Sequence, residues 1–194
     1  MVIGITGASG AGKHTAALHL QKKGWVILDA DAIAHYLYRP YTNVWKAVTE
    51  TFGEKILNQD DSINRAKLGQ IVFDPLHPKE ADEALAKLDA IVHPYVRRRL
   101  GEEARFQSKK GAKVAVVAAL WQELGLMDIC EKILWVETQP EIAIRRVCAR
   151  DNISSEMARM RLRGQQPPSK SVQIVENNGS IEDFHAQLDK ILEN

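Results

Sequence analysis

Short apolar runs alternate with amphipathic segments along most of this chain. Five runs have the length and composition of buried strands, namely Val2 to Thr6, Trp25 to Asp29, Lys113 to Ala118, Lys132 to Glu137 and Val172 to Val175. Helical patterns lie between them, for example at Lys13 to Lys22 and Gln139 to Arg150. This alternation predicts an α/β fold in which a parallel sheet carries helices on both faces and ligands bind at the carboxyl ends of the strands.

Two stretches interrupt the alternation. Residues 43–110 contain no convincing buried strand, and their pattern predicts several helices. Ser154 to Gly164 predicts another helix, capped by Ser154 or Ser155 and followed by a polar, proline-bearing loop that includes Lys170. We therefore expect a core at 1–42 and 111–194, a helical insertion at about 43–110 and a lid at about 152–171.

A glycine-rich segment joins the first predicted strand to the first predicted helix. It reads Gly7-Ala8-Ser9-Gly10-Ala11-Gly12-Lys13-His14-Thr15 and matches the phosphate-loop pattern G-x-x-x-x-G-K-[ST] through Lys13. In such loops the backbone N–H groups surround a polyphosphate, and the lysine adds a mobile positive charge. We expect the nucleotide to contact Ser9, Gly10, Ala11, Gly12, Lys13, His14 and Thr15.

His14 stands where the pattern usually has a hydroxyl that binds Mg²⁺, and Thr15 follows one residue later. An imidazole is a poor ligand for Mg²⁺, which prefers hard oxygen donors. The phosphate cradle is therefore complete in the sequence, whereas its usual metal ligand is replaced.

The second predicted strand ends in Asp29-Ala30-Asp31, where catalytic groups are expected in this architecture. A carboxylate there can accept the proton of an attacking hydroxyl or hold Mg²⁺ through water. Asp31 is our candidate for this role. The alternative is that Asp31 caps a helix beginning at Ala32, and the two roles are compatible.

Basic side chains in other predicted helices supply further candidates. An arginine from Arg145, Arg146 or Arg150 can stabilise charge on a transferred phosphoryl group, although such residues are equally often solvated or paired with Glu141 or Asp151.

Pro94 suits the first turn of a helix, with His93 just outside it and Arg97 three residues further on. Asn64 and Arg65 can be a simple cap and a solvated charge. Asn177-Asn178-Gly179 is first a turn signal, although its place after the last strand suits contact with a nucleotide base.

Composition adds few constraints. The chain has 194 residues and a formal net charge of +1, so no global field attracts nucleic acid or an anionic membrane. We find no apolar run that would span a bilayer and no leader pattern, and we expect a cytoplasmic protein. Cys130 and Cys148 are far apart, and we expect free buried thiols rather than ligands or nucleophiles.

Taken together, these segments resemble the dephospho-coenzyme A kinase family. The most specific similarities are Asp29-Ala30-Asp31-Ala32-Ile33-Ala34-His35 and Ile91-Val92-His93-Pro94, supported by the phosphate loop, Ile63 to Leu68, Glu123 to Leu126 and Ile174 to Gly179. The resemblance implies a P-loop NTPase fold similar to the nucleoside monophosphate kinases, with a helical acceptor-binding insertion and a lid.

The family transfers the γ-phosphoryl group of ATP to the ribose 3′-hydroxyl of dephospho-coenzyme A, so the resemblance implies ATP, Mg²⁺ and dephospho-coenzyme A as ligands. By position, Asp31 resembles the general base, Lys13 the phosphate-bridging cation and Arg146 the arginine on the lid side. The remaining implied contacts are Asn178 with ATP, and His35, Arg65, His93 and Arg97 with the acceptor. We expect a monomer that binds neither nucleic acid nor membrane.

Three departures from the family pattern keep other functions open. They are His14, Ala119 at a position where the family usually has proline, and a lid loop in which Lys170 is the nearest basic residue. The alternatives are another P-loop kinase that acts on a small molecule or nucleotide, and a catalytically weak homologue that binds nucleotide or coenzyme A.

Overall fold

The computed structural model describes residues 1–163, 165, 167 and 172–193 of the chain. Within these residues the strands are β1 Val2–Gly7, β2 Val26–Asp29, β3 Val114–Val117, β4 Lys132–Glu137 and β5 Gln173–Glu176. The α-helices are α1 Lys13–Lys22, α2 Ala30–Leu37, α3 Asn43–Phe52, α4 Arg65–Val72, α5 Pro78–Lys109, α6 Pro140–Asp151, α7 Ser155–Leu162 and α8 Ile181–Glu193. Short 3₁₀ helices span Glu54–Ile56 and Leu126–Asp128.

The strands form one parallel sheet in the order β2-β3-β1-β4-β5. All six residues of β1 are buried, which is why this strand reads as a continuous apolar run. The prediction of a parallel sheet flanked by helices is confirmed. Because the strands are parallel, Gly7 at the end of β1 and Asp29 at the end of β2 lie on the same edge of the sheet.

The chain divides into two compact units. Unit 1 comprises Met1–Asp29 and Glu103–Asn194, and unit 2 comprises Ala30–Glu102. In unit 1, Ile3 and Ile5 of β1 share a buried cluster with Leu20 of α1 and Leu188 of α8. On the other face of the sheet, the buried ring of Trp121 lies against Gly4, at a position that a Cβ would occupy.

Unit 2 is built from helices, as the pattern of residues 43–110 predicts. The side chain of Thr42 caps α3 by accepting from the N–H of Trp45 at 3.0 Å, and Asn64 caps α4 by accepting from Lys67 at 3.0 Å. An isolated antiparallel bridge joins Leu57 to Ile63 between these helices. The expected cap at Asn64 is therefore present.

The expectation that Pro94 begins a helix is wrong. Pro94 lies inside α5, which runs through it and continues past Glu103 to Lys109. A proline there removes the hydrogen bond to the carbonyl of Ala90 and costs about 3 kcal/mol. Burial offsets this cost, because each fully buried aliphatic side chain contributes about 1.5–3 kcal/mol. Buried residues recur every four positions through the proline, at Leu88, Val92, Val96, Leu100 and Ala104.

Both cysteines are free thiols and are partly buried. Burial raises the pKa of Cys130 to about 12, with smaller contributions from Glu131 and Asp128. The thiol of Cys148 donates weakly to the hydroxyl of Ser155 at 3.9 Å. Among the helices in the described ranges, none is long and apolar enough to cross a membrane.

A histidine pair links α1 to α8 in unit 1. The rings of His19 and His185 stack with centroids 3.9 Å apart and an angle of 15° between their planes. His19 Nε2 and Lys23 Nζ both contact Asp189 Oδ1, at 2.9 and 2.6 Å. Burial raises the pKa of Asp189, but the hydrogen bonds from Lys23 and His19 outweigh this effect and lower it.

We expect the free energy of unfolding to fall as the pH drops below about 6.5, in part through His185. Burial lowers the pKa of this residue below its ordinary value, and His19 and Lys22 lower it further against the opposing charges of Asp189 and Glu182. The unfolded chain therefore binds more protons in this range. His185 contributes its stabilisation above the unfolded pKa and loses it as the pH falls through the folded pKa.

Urea unfolding at pH 7.5 and 5.5 tests this expectation. The difference between the two midpoints should be smaller in His185→Gln than in the unmodified protein. His77→Gln is the control, because His77 pairs with Asp74 on the surface of unit 2. If the difference between the two urea midpoints is the same in His185→Gln as in the unmodified protein, the stacked pair does not contribute to the pH dependence of stability.

Candidate active site

The loop between β1 and α1 has a backbone that requires glycine at two positions. Gly10 has a φ of +78° and Gly12 a φ of +113°, values that residues with side chains rarely adopt. A Cβ at Gly10 would lie 2.7 Å from the carbonyl oxygen of Ala143 in α6, and a Cβ at Gly12 would overlap the side-chain amide of Asn177. The loop therefore packs directly against α6 and the turn that follows β5.

Lys13, the first residue of α1, turns its side chain back over the loop. Its Nζ donates to the carbonyl oxygen of Gly7 at 2.7 Å and to that of Ala8 at 3.0 Å. The first N–H groups of an α-helix have no acceptor within the helix and form the positive end of its dipole. The ammonium group and the beginning of α1 thus place positive charge at the same loop, as a polyphosphate site requires.

Arg146 reaches the loop from α6. Its Nη1 donates to the carbonyl oxygens of Gly10 and Ala11 at 3.3 and 3.4 Å, and its Nη2 donates to the carbonyl oxygen of Asn177 at 3.4 Å. The alternative of a solvated charge therefore does not apply to this arginine. A guanidinium carries five N–H donors, so these contacts do not use all of them.

The sequence interpretation missed the part that Asn177 plays. This residue is only 6% exposed, and its Nδ2 donates to the carbonyl oxygen of Ala11 at 2.7 Å. Its backbone N–H donates to Glu137 at 2.8 Å, and its carbonyl accepts from the hydroxyl of Thr138 at 2.8 Å. The sequence signal is Asn-Asn-Gly after the last strand, which indicates a turn near the nucleotide base but not a bond to the phosphate loop.

The side chain of Asn178, the predicted ATP contact, accepts hydrogen bonds from the residues before α6, whereas that of Asn177 donates to the phosphate loop. Its Oδ1 accepts from the backbone N–H of Gln139 at 2.8 Å and from the Thr138 hydroxyl at 3.2 Å. These bonds fix the residues that lead into α6. Within the turn after β5, Asn177 contacts the phosphate loop and Asn178 holds the neighbouring segment.

Ser9 connects the loop to the region of the predicted lid. Its backbone N–H donates to Gln165 Oε1 at 2.7 Å, and its Oγ lies 3.5 Å from Nη2 of Arg150. Arg150 also forms a bidentate pair with Asp151 at 2.7 and 2.8 Å, and this hydrogen bonding raises the pKa of the guanidinium. Arg150 thus combines the expected surface pairing with a contact at the loop.

The predicted lid contains α7, with Ser154 as its cap. The Ser154 hydroxyl accepts from the N–H of Met157 at 3.2 Å, which selects Ser154 over Ser155 as the capping residue. Of the predicted lid, residues 164, 166 and 168–171, with Lys170 among them, lie outside the described residues.

His14 and Thr15 occupy the first turn of α1 after Lys13. The His14 side chain is exposed, and that of Thr15 is partly buried. Successive helical residues point about 100° apart, so Thr15 does not occupy the position of the missing hydroxyl. Carboxylate oxygens suit Mg²⁺, and Asp29 lies at the end of β2, on the same edge of the sheet as the end of β1.

Unit 2 contains Asp31 and the predicted acceptor residues. Asp31 is exposed in the first turn of α2, which begins at Ala30. The helix therefore begins two residues earlier than the capping alternative requires, because Ala30 already has helical geometry. A carboxylate in a first turn still benefits from the helix dipole.

Four of the residues in unit 2 form two pairs. His35 Nδ1 and Arg65 Nη1 are 3.4 Å apart, and His93 Nε2 lies 3.3 Å from Asp89 Oδ1. Tyr38 lies within electrostatic reach of both pairs. Burial raises the pKa of its phenol, Arg65 lowers that pKa and Asp89 raises it. The sequence interpretation missed Tyr38 and Asp89, because neither belongs to a recognised motif.

Arg97 follows His93 by one helical turn on α5, and its side chain is exposed. Its position on the same helix as the His93 and Asp89 pair is compatible with the predicted group of acceptor residues. The structure thus brings His35 together with Arg65, and it places His93 and Arg97 in neighbouring turns of one helix.

Comparisons with known proteins agree with this geometry. A family model described as dephospho-CoA kinase matches residues 1–183. A dephospho-CoA kinase from Lactobacillus johnsonii is 34% identical over 98% of this chain and 96% of its own length, and one from Arabidopsis thaliana is 33% identical over 98% and 82%.

Solved structures give the same result. The chain is similar to TT1252 from Thermus thermophilus, with a TM-score of 0.79, 32% identity and coverage of 100% and 96% of the two chains. A dephospho-CoA kinase from Campylobacter jejuni has a TM-score of 0.73 and 26% identity, covering 99% and 95%. A shikimate kinase from Bacteroides thetaiotaomicron, with a TM-score of 0.54 and 15% identity, shares the fold.

Proposed function

This chain belongs to the dephospho-CoA kinase family, and we propose that it transfers the γ-phosphoryl group of ATP to the ribose 3′-hydroxyl of dephospho-coenzyme A. The product is coenzyme A. The reaction is a phosphoryl transfer to an alcohol, so the protein must bind a polyphosphate, orient a hydroxyl and accept its proton.

The phosphate loop is the observation that carries this proposal. Its glycines allow the close backbone approach, Lys13 Nζ lies against the loop carbonyls, and the N-terminus of α1 places the positive end of the helix dipole at the loop. These elements bind the β and γ phosphates of ATP. They also stabilise the negative charge that spreads over the equatorial oxygens during transfer.

Asp31 is the proposed general base. Its carboxylate accepts the proton of the acceptor hydroxyl as the oxygen attacks phosphorus, and the leaving group is ADP. The support is its position two residues after the carboxyl end of β2 and its exposed place in the first turn of α2. The match to the family pattern adds to this support.

The acceptor contacts are proposed for His35, Arg65, His93 and Arg97. Dephospho-coenzyme A carries a diphosphate, and guanidinium groups bind such groups through charge-assisted hydrogen bonds. Arg65 and Arg97 have this chemistry and exposed side chains in unit 2. The two histidines lie beside Arg65 and one turn before Arg97, respectively, and serve as hydrogen-bonding partners.

Arg146 is proposed to act at the transferred phosphoryl group as well as on the loop. Its contacts with three carbonyl oxygens are long, at 3.3–3.4 Å, and leave donors for an anion. In this arrangement the guanidinium stabilises charge that develops in the transition state, and it orients the loop before the reaction.

Mg²⁺ is the expected metal, and when bound it neutralises the phosphate oxygens of ATP. In this chain Asp29 and Asp31 provide carboxylates that suit it, directly or through water, whereas His14 does not. Water readily completes the coordination shell of Mg²⁺ when a protein ligand is missing. We therefore propose that the protein is active but binds Mg²⁺ more weakly, so that it needs a higher Mg²⁺ concentration than a version with serine at position 14.

We expect His14→Ser to lower the Mg²⁺ concentration that gives half-maximal rate, because a hydroxyl completes the metal shell. The acceptor KM should not change. Magnesium titrations of both proteins at fixed ATP and dephospho-coenzyme A test this, with His77→Ser as a control on the surface of unit 2. Superimposable titrations of the His14 variant and the unmodified protein would show that this position does not affect the metal.

We also propose that the protein acts in the cytoplasm as a monomer and binds neither nucleic acid nor membrane. The support is its formal net charge of +1 and the two substrates of the reaction, which are small molecules.

ATP consumption by one purified sample tests the function. The acceptors are dephospho-coenzyme A and a panel of nucleoside monophosphates, and the products are identified by mass spectrometry. Phosphorylation of dephospho-coenzyme A alone is expected. Transfer to a nucleotide would favour another P-loop kinase, and nucleotide binding without transfer to any acceptor would favour a catalytically weak homologue.

A further inference from the structure

We infer that Asn177 is a positioning residue that directs the backbone N–H of Gly12 toward the phosphate chain of ATP. The inference rests on the proposed function, because it assigns a role within the same nucleotide site. Asn177 touches no reacting atom in this account. It acts through the carbonyl group of Ala11, which its side chain holds.

The first step concerns the peptide bond between Ala11 and Gly12. In a planar trans peptide, the C=O of one residue and the N–H of the next point in opposite directions. Asn177 Nδ2 holds the Ala11 oxygen at 2.7 Å, and Arg146 Nη1 lies 3.4 Å from the same oxygen. The N–H of Gly12 therefore points away from both side chains, which makes it a preoriented donor for an anion.

The second step concerns how firmly Asn177 itself is held. Its backbone N–H donates to Glu137, while its carbonyl accepts from Thr138 and Arg146. These hydrogen bonds fix the backbone from which the Asn177 side chain extends. It also occupies the volume in which a Cβ of Gly12 would lie, so the loop glycine and this asparagine are fitted to each other.

A purely structural role would have different consequences. A buried amide that only satisfies a carbonyl stabilises the fold, and its loss lowers the free energy of unfolding without a selective effect on one substrate. A positioning role instead weakens the binding of nucleotide phosphates and leaves the acceptor KM unchanged. A test of the two roles must therefore distinguish a loss of nucleotide affinity from a loss in the free energy of unfolding.

Gln187 offers a matched control in the same region. Its Nε2 donates to the carbonyl of Glu176 at 3.1 Å, one residue before Asn177, and its Oε1 accepts from the Glu176 N–H at 3.2 Å. Gln187→Glu and Asn177→Asp each replace an amide by a carboxylate and remove a donor to a backbone carbonyl. Only the second loses a bond to the phosphate loop.

The experiment measures ADP affinity by calorimetry for Asn177→Asp, Asn177→Ala, Gln187→Glu and Gln187→Ala. Loss of one buried donor is expected to weaken ADP binding by roughly tenfold or more in both Asn177 variants. The Gln187 variants should bind ADP like the unmodified protein. The KM for ATP should rise in the Asn177 variants, while the KM for dephospho-coenzyme A stays constant in all four.

A measurement on the unmodified protein covers the case in which the Asn177 variants do not fold. In ¹⁵N-edited NMR spectra, addition of ADP should shift the Gly12 amide proton downfield, because that proton then donates to a phosphate oxygen. An unshifted Gly12 amide in the ADP complex, or equal ADP affinity in the Asn177 and Gln187 variants, would overturn the inference. ADP binding without transfer to dephospho-coenzyme A would instead contradict the proposed function and leave the Asn177 result interpretable.

Discussion

Replacing Lys13 with alanine is expected to remove most of the turnover and to weaken ATP binding. Its Nζ lies 2.7 Å from the Gly7 oxygen and 3.0 Å from the Ala8 oxygen, so the charge is held at the phosphate loop. We expect the ammonium to contact the β and γ phosphates both in the ground state and in the transition state, when charge on the transferred group is spread over its oxygens. We expect kcat/KM for ATP to fall by roughly a hundredfold or more, the usual scale for a lost transition-state donor.

Steady-state kinetics and ADP calorimetry measure the two effects separately. Lys22→Ala is a suitable control, because Lys22 is exposed in the last turn of the same helix. It tests whether loss of one positive charge from α1 is enough to produce the effect. Nucleotide affinity and turnover that remain unchanged in Lys13→Ala would refute the assignment of the phosphate loop.

The strands and the phosphate loop could be predicted from the sequence because their signals are local. The runs that became β1 and β4 are apolar on both faces of a parallel sheet, so each strand appears as an uninterrupted apolar segment. The loop is specified by glycine spacing within nine residues. The predicted boundaries of these two strands agree with the structure to within about one residue.

Pro94 shows where local reasoning fails. A proline with a histidine before it favours a helix start, and nothing in the neighbouring residues reveals that burial extends across it. The decisive information is a four-residue spacing of buried side chains from Leu88 to Ala104, which acts over more than four helical turns. Tertiary burial thus determines the course of α5.

Asn177 shows a second kind of failure. Its importance comes from a bond to Ala11, which is 166 positions away in the sequence. A single sequence contains no signal for such a contact, and the turn interpretation of Asn-Asn-Gly is satisfied at the same time. Tyr38 is similar, because its significance depends on Arg65 and Asp89, which belong to two other helices. Residues that act through distant partners therefore required the structure.

Asp31 is the residue on which the proposed chemistry depends most. Replacing it with asparagine keeps the size and the hydrogen-bonding capacity of the side chain but removes its ability to take a proton. We expect kcat to fall by roughly a hundredfold or more, the usual contribution of a general base, while ATP affinity stays near normal. The KM for dephospho-coenzyme A should change little, because a general base acts on the proton rather than on the diphosphate.

Single-turnover kinetics with dephospho-coenzyme A, together with ADP calorimetry, separate the loss of chemistry from any loss of binding. Asp82→Asn is the matched control, since Asp82 is an exposed carboxylate in α5 of the same unit. Asp31→Glu adds a further test, because a carboxylate that is displaced by one methylene should restore part of the rate. If Asp31→Asn keeps most of its activity but unfolds at a lower temperature, the carboxylate stabilises the first turn of α2 through the helix dipole and another group accepts the proton.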